Sequence, residues 1–245
     1  GVPPFDKILP EHFMPAFERG MSLHEAEIDA ITSNKDEATF ENTILAYDDA
    51  GQMLAQTELV FGMLCAAETN DRMQALQEQA MPLLAAHRDK IRLDDKLFVR
   101  VKEVYDRRAA LGLDAEQMRL LQKTYDSFVR AGALLDAEQK ARLKEINGQL
   151  SLTAVKFGNN ILAENNNFVL ELKSDELDGL PAGIRDAARE KAQQMGKGDK
   201  WVFTLHKPSL IPLLTYSTRR DLREKIYKAY LNRCNNGDEY DNKQL

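Results

Sequence analysis

The feature that most constrains this chain is a helix-start signature that occurs twice, at Asp114 to Gln117 and at Asp136 to Gln139. An Asp at the N-cap accepts a backbone N–H three residues on, while a Gln at that position reaches back to the cap's own N–H. Each tetrapeptide therefore predicts a helix start, and each is followed by apolar residues at three- and four-residue spacing. The first stripe is Met118, Leu121, Tyr125 and Phe128; the second is Leu143, Ile146, Leu150, Phe157 and Ile161. Upstream, Leu97, Phe98, Val101, Val104 and Tyr105 form another amphipathic stripe, expected to end at Leu111 and a left-handed cap at Gly112. The duplicated tetrapeptide is capping chemistry rather than a repeat, because no self-similarity of about 33 to 47 residues accompanies it.

The rest of the chain reads as follows. Met53 to Ala67 is apolar on almost every face, which predicts a central, largely buried helix. Pro82 interrupts the helical pattern from Asp71 to Ile91; an interior proline costs about 3 kcal/mol, so a break or kink is expected there. Phe168 to Leu172 and Trp201 to Leu205 leave the helical period, are rich in β-branched and aromatic residues, and are bounded by Asn165 to Asn167 and Gly196 to Gly198. They read as strands separated by a short helix from Ile184 to Met195. Pro208 and Pro212 are expected to prevent a regular helix before Arg219 to Leu231 restores the period with Leu222, Ile226 and Tyr230. The segment from Asn235 to Leu245 reads as a polar turn that stops without a terminating signal, as though cut.

Composition narrows the class. With 43% hydrophobic residues in 245 the chain can bury a substantial core. Apolar runs such as Leu59 to Leu64 are too short to cross a bilayer, and no basic-then-apolar leader precedes Phe5. The chain begins at Gly1, which leaves cytoplasmic and periplasmic locations both open. Residues 1 to 70 hold 3 basic and 13 acidic side chains, so the front carries −10 and the remainder +4. Residues 39 to 70 contain no Lys or Arg, which argues against nucleic acid as a partner. Cys65 and Cys234 are far apart in sequence and belong to no Cys-x-x-Cys pair; both read as packed or free thiols.

A search for chemistry finds fragments of motifs. Zinc on a helix needs two imidazoles four residues apart, with a Glu beside the first. His24 and Glu25 begin that pattern, but Ile28 stands where the second ligand belongs, so this dipeptide reads as solvated surface. His12, His87 and His206 complete no ligand set either. No Ser lies in a Gly-x-Ser-x-Gly elbow. The run from Gly196 to Asp199 lacks the spacing of a phosphate cradle and reads as a turn. Asn232 to Lys243 superficially suggests a calcium loop, yet Cys234 and Lys243 occupy positions that require oxygen ligands. The densest charge run, Arg219 to Lys225, reads as a helix surface with Asp221 and Lys225 paired four apart. A sharper reading has some of its arginines docking on another domain. No catalytic, cofactor-binding or metal residue is assigned in this chain.

Several blocks nonetheless occur in a collinear order. They are Pro4 to Phe17, Thr39 to Ile44, Phe128 to Gly132, Lys156 to Gly158, Phe203 to Leu205 with Pro208 and Ser209, and Arg220 to Lys225 followed by Ala229 and Tyr230. In this order they resemble the zinc oligopeptidases of the thimet oligopeptidase group, and among them most closely the bacterial peptidyl-dipeptidase branch, with oligopeptidase A also similar. In physical terms Phe5, Ile8, His12 and Phe13 are expected to form an apolar ridge, and Thr39 to Asn42 to open the central helix.

The resemblance implies a mainly α fold: a multi-helix, bundle-like N-terminal half of a zincin-type oligopeptidase with a small two-stranded β insert. The expected organisation is a helical region over 1–165, an α+β insert over 166–207, and a helix over 208–245 leading into the catalytic half. It further implies zinc in the intact parent, held by a His-Glu-x-x-His helix that this chain lacks, with none bound by this segment. Oligopeptides would be the substrates, C-terminal dipeptides the products, and the chain's own C-terminal catalytic half its partner. The alternative is a free-standing helical binding or scaffold protein without catalysis. An independent peptide-binding domain is a third reading, and would require an exposed apolar groove.

Overall fold

The computed structural model describes residues 2–245, which fall into two compact units, the first ending at Val155 and the second comprising Lys156–Leu245. The fold is mainly helical with one small antiparallel sheet, as the periodicity predicts. No helix among the described residues is long and apolar enough to cross a membrane.

The first unit contains α1 (Phe13–Ser33), α2 (Ala46–Asp49), α3 (Gln52–Ala67), α4 (Asp71–Arg92), α5 (Asp95–Asp106), α6 (Ala115–Arg130) and the start of α7 (Ala137–Asn167). Both duplicated tetrapeptides cap as expected. Asp114 Oδ1 accepts from the Gln117 amide at 2.9 Å while Gln117 Oε1 accepts from the Asp114 amide. Asp136 and Gln139 repeat the exchange at the head of α7. Asn70 caps α4 through the Met73 amide and Asp94 caps α5 through the Leu97 amide. The stripe on α5 packs against that of α6, so Leu97, Phe98, Val101, Leu121 and Phe128 share one core with Ile28, Ile31 and Ile44. Buried Arg100 on α5 donates to the carbonyls of Asn34 and Asp36 and to Asn42 Oδ1, and so ties the loop after α1 onto this core. A second core holds Phe13, Phe17, Phe61 and Leu84, with Phe17 meeting Phe61 edge-on at 5.3 Å.

Several expectations about this unit are corrected. Thr39 and Asn42 do make a capping box, but it opens a π-helical turn, Phe40–Leu45, that runs into α2. Gly51, at φ 76°, then separates α2 from α3, so the box does not open the central helix. Helix α3 is not largely buried: only Leu54 and Phe61 are, whereas Leu59 is 65% exposed. An apolar composition on every face supplies more apolar surface than α1 and α4 cover. Pro82 does not break α4, which runs continuously from Asp71 to Arg92; packing of Met73, Ala80, Leu84 and Ile91 outweighs one lost backbone bond. α5 ends at Asp106, and a 3₁₀ turn, Arg108–Ala110, intervenes before Gly112 in its left-handed conformation. In the N-terminal ridge Phe13 is buried, but Phe5 and His12 are exposed, and His12 Nδ1 accepts from the Leu9 amide as a local cap. On α7, Ile146, Leu150 and Phe157 are exposed in this chain.

In the second unit β1 (Leu170–Leu172) pairs antiparallel with β2 (Trp201–Phe203), with Leu170 opposite Phe203 and Leu172 opposite Trp201. Both strands lie inside the expected ranges and are shorter. Between them runs α8 (Ala182–Gln194); α9 (Lys207–Tyr216) and α10 (Arg220–Leu231) follow. Leu170, Leu172, Phe203, Leu205, Leu213 and Ile226 form the core. Contrary to expectation, Pro208 and Pro212 both lie within regular helix α9. Pro208 is in the first turn, where its missing N–H has no helical acceptor to lose, and Pro212 forfeits one bond while Leu210 and Leu213 pack into the core.

Candidate functional site

Within the first unit the closest approach of metal-binding side chains is the one the sequence assigns to solvent. His24 on α1 and His87 on α4 face one another, with His24 Nδ1 and His87 Nε2 3.0 Å apart, and His87 is 5% exposed. Glu25 Oε1 stands 3.5 Å from the other ring nitrogen of His87, and Glu25 Oε2 pairs with Lys90 Nζ at 2.8 Å. His87 Nδ1 is buried and makes no hydrogen bond, so the favoured arrangement has His24 Nδ1–H donating to His87 Nε2, which leaves an N–H rather than a lone pair on the side of the Glu25 carboxylate. Gly51 completes the arrangement. Its amide donates to Glu27 Oε2 at 2.7 Å, and a Cβ there would fall 2.9 Å from His24 Nδ1. His24 and Glu25 are therefore parts of a junction between α1, α3 and α4, not a solvated dipeptide.

This pair favours neutral imidazoles. Burial, then the neighbouring His87, holds His24 below its ordinary value; burial likewise lowers His87, against the pull of Glu25. The geometry does not fit zinc. Two imidazoles on one tetrahedral zinc stand about 3.3 Å apart with the ion between them, whereas these nitrogens share a hydrogen bond and Glu25 approaches the far side of His87. Among the described residues no group of three or more His, Cys, Asp or Glu side chains is arranged to hold a metal. The sequence does contain a signal for His87: it occupies the buried stripe of α4 between Leu84 and Ile91. Its partner, 63 residues away, leaves no local trace.

The second unit has a cleft of about 490 Å³ whose walls are α8, β2 and the start of α9. Ile184, Ala187 and Val202 supply apolar surface, with Lys191 and His206 adding polar groups. Ser209 Oγ accepts the Thr204 amide at 3.0 Å and so pins the end of β2 to the first turn of α9. His206 Nδ1 instead lies 3.3 Å from Thr204 Oγ1. Phe203, Thr204, Pro208 and Ser209, which carry part of the family resemblance, thus line this cleft, while Leu205 of the same block lies in the core.

Other motif candidates resolve into structure. Burial pushes the thiols of Cys65 and Cys234 up to about 11, and both are free. Asp241 spends its carboxylate on the amides of Gly237 and Lys243, closing the turn before the C-terminal residues. In the charge run, Asp221 pairs with Arg219 through two bonds of 3.0 and 2.8 Å, rather than with Lys225. Arg219 lies just ahead of α10, where a planar fork matches the carboxylate of the helix's first turn.

Comparison with known proteins extends the resemblance over the whole chain. It is 36% identical over 245 residues to the dipeptidyl carboxypeptidase of Escherichia coli (strain K12), a match covering 100% of this chain and 36% of that protein. The Salmonella typhimurium dipeptidyl carboxypeptidase is 34% identical over the same extent. Oligopeptidase A of Escherichia coli is 25% identical over 249 residues, again with 100% of this chain and 36% of that protein. The chain therefore spans about a third of the length of these curated relatives. No family model matches it.

Proposed function

We propose that this chain is the non-catalytic helical part of a zinc peptidase that hydrolyses short peptides and releases C-terminal dipeptides. The observation that carries the reading is similarity along all 245 residues to proteins named for peptide cleavage, of which the chain spans 36%. On this reading zinc and its activated water belong to the remaining two-thirds of the parent. The part described here walls a peptide channel and restricts entry by shape. The cleft at β2, α8 and α9 suits that role, with apolar walls for side chains and Lys191 and His206 for polar groups.

The test compares the 245-residue chain with the intact parent in a fluorogenic peptide assay, with zinc content measured on both. The parent is expected to hold zinc and to release dipeptides, and the chain alone to do neither. Stoichiometric zinc together with hydrolysis by the 245 residues alone would overturn the assignment. Filling the cleft with Ala187→Trp in the parent is expected to raise KM with little change in kcat, since it removes room for substrate rather than chemistry.

A further inference from the structure

One cluster of cations is left without carboxylate partners by the packing of the first unit. Along α6, Arg119, Lys123, Ser127 and Arg130 recur at four-, four- and three-residue spacing, on the side opposite the buried Leu121 and Phe128. The last turn of α4 brings Arg92 beside them, and together they line an open cleft of about 580 Å³. None of these four cations is ion-paired to a carboxylate among the described residues. The one acidic lining residue, Asp126, accepts from Gln122 Nε2 at 2.9 Å. The cleft thus carries an excess of three positive charges in a chain whose net charge is −6.

Helix-end stabilisation accounts for part of this pattern, because cations near a helix C-terminus complement its dipole. It covers Arg92 and Arg130, which lie in the last turns of α4 and α6. It does not cover Arg119, which lies in the first half of α6, far from the C-terminal turn where the dipole favours a cation. Arg92 is also held in place: its guanidinium faces the phenol of Tyr47, whose ring packs on Phe128 at 5.2 Å. The contrast with the basic run at α10 is direct. There Arg219 is taken by Asp221, Lys228 by Glu224 and Arg223 by the Ser217 carbonyl.

We propose that the cleft between α6 and the end of α4 binds a small oligoanion, with Arg92, Arg119, Lys123 and Arg130 as its charge partners and the Ser127 hydroxyl as a neutral donor. Guanidinium groups meet phosphate and carboxylate oxygens through paired N–H bonds, and a ligand with two or more adjacent anionic groups can engage cations on both helices at once. The site stands independently of the peptidase reading, since nothing in it concerns hydrolysis.

The experiment is titration of the 245-residue chain with inorganic tripolyphosphate and, separately, with citrate. Binding is read by calorimetry and by thermal shift. Saturable binding of at least one anion is expected, with a raised melting temperature and an affinity that falls as sodium chloride is added. The two arms distinguish phosphate from carboxylate chemistry. In Arg119→Gln/Arg130→Gln binding should weaken about tenfold for each guanidinium removed. In the control Arg219→Gln/Arg220→Gln, on the other basic run, it should be unchanged. Arg119, Arg130 and Arg220 are exposed and Arg219 is half-buried, and circular dichroism checks that each variant folds. Absence of saturable binding by either anion, or equal affinity in the α6 variant, overturns the proposal.

Discussion

Helices α3 and α5 differ in a way that overall hydrophobicity inverts. α3 is far the more apolar, yet it buries only Leu54 and Phe61 and leaves Met53, Leu59 and Met63 at the surface. α5 carries a charged residue at nearly every position outside its stripe, and it buries Leu97, Phe98, Arg100, Val101 and Val104. What anchors a helix is the phase of its apolar residues relative to a partner. The α5 stripe meets a matching stripe on α6, while α3 offers apolar surface in all directions and its neighbours meet only one of them.

The strongest test of that contrast is a truncation inside the α5–α6 core. Phe128 is 1% exposed and lies against Phe98 and Tyr47. Phe128→Ala should therefore destabilise the chain by about 3–5 kcal/mol in urea unfolding. A loss under about 1 kcal/mol would mean that the stripe on α6 is not what secures α5.

A second test moves to the junction between α3 and its neighbours, where His24 and His87 meet. Both imidazoles have folded values below the unfolded 6.5, so the unfolded chain binds more protons than the folded one as pH falls through that value. Stability contributed by the neutral pair is complete above about pH 6.5 and is lost progressively as the pH falls toward the lowered folded values. Glu27, Glu25 and Glu58 oppose the loss by attracting the protonated rings, and Lys90 adds to it at His87. Below that window Glu25, itself lowered chiefly by its bond to Lys90, adds a further loss on protonation. The melting temperature should decline from pH 7 to 5, and His87→Gln should flatten that decline. An unchanged slope in His87→Gln would assign the acid sensitivity elsewhere.

These cases show what the sequence makes legible. Capping boxes are local, needing only an Asp and a Gln three apart, so Asp114 and Asp136 mark their helices correctly. Strand segments were legible because Val202 and Phe203 break the helical period between glycines and a proline. Prolines misled, since the cost of Pro82 or Pro212 is set by the packing around it and sequence shows only the proline. The fate of His24 was hidden because its partner is on another helix. The cationic stripe of α6 was readable in principle, being the polar complement of the apolar stripe at Leu121 and Phe128, but one sign of charge on one face carries no mark of whether carboxylates answer it.

Smaller effects sharpen the comparison from its ends. Asp114→Ala removes the acceptor for the Gln117 amide at an exposed helix start and should cost about 1 kcal/mol, with a range of about 0.5–2. A cost near zero would show that α6 is held by its stripe alone.

The smallest expected change lies on the outer face of α3. Leu59 is 65% exposed and Met63 49%, one turn apart, in a stretch whose neighbours Ala55, Gln56, Gly62 and Ala66 carry no charge. Truncating them removes little buried area, so Leu59→Ser/Met63→Ser should alter the stability of this chain by no more than about 0.5 kcal/mol. The same change should lower its tendency to self-associate, read as a smaller concentration dependence of mass in light scattering, because contiguous exposed apolar surface favours association. Unchanged association would mean that the apolar surface of α3 is too dispersed to act as a patch. A destabilisation comparable to that of Phe128→Ala would break the comparison, because it would make the outer face of α3 as much a part of the core as the stripe of α6.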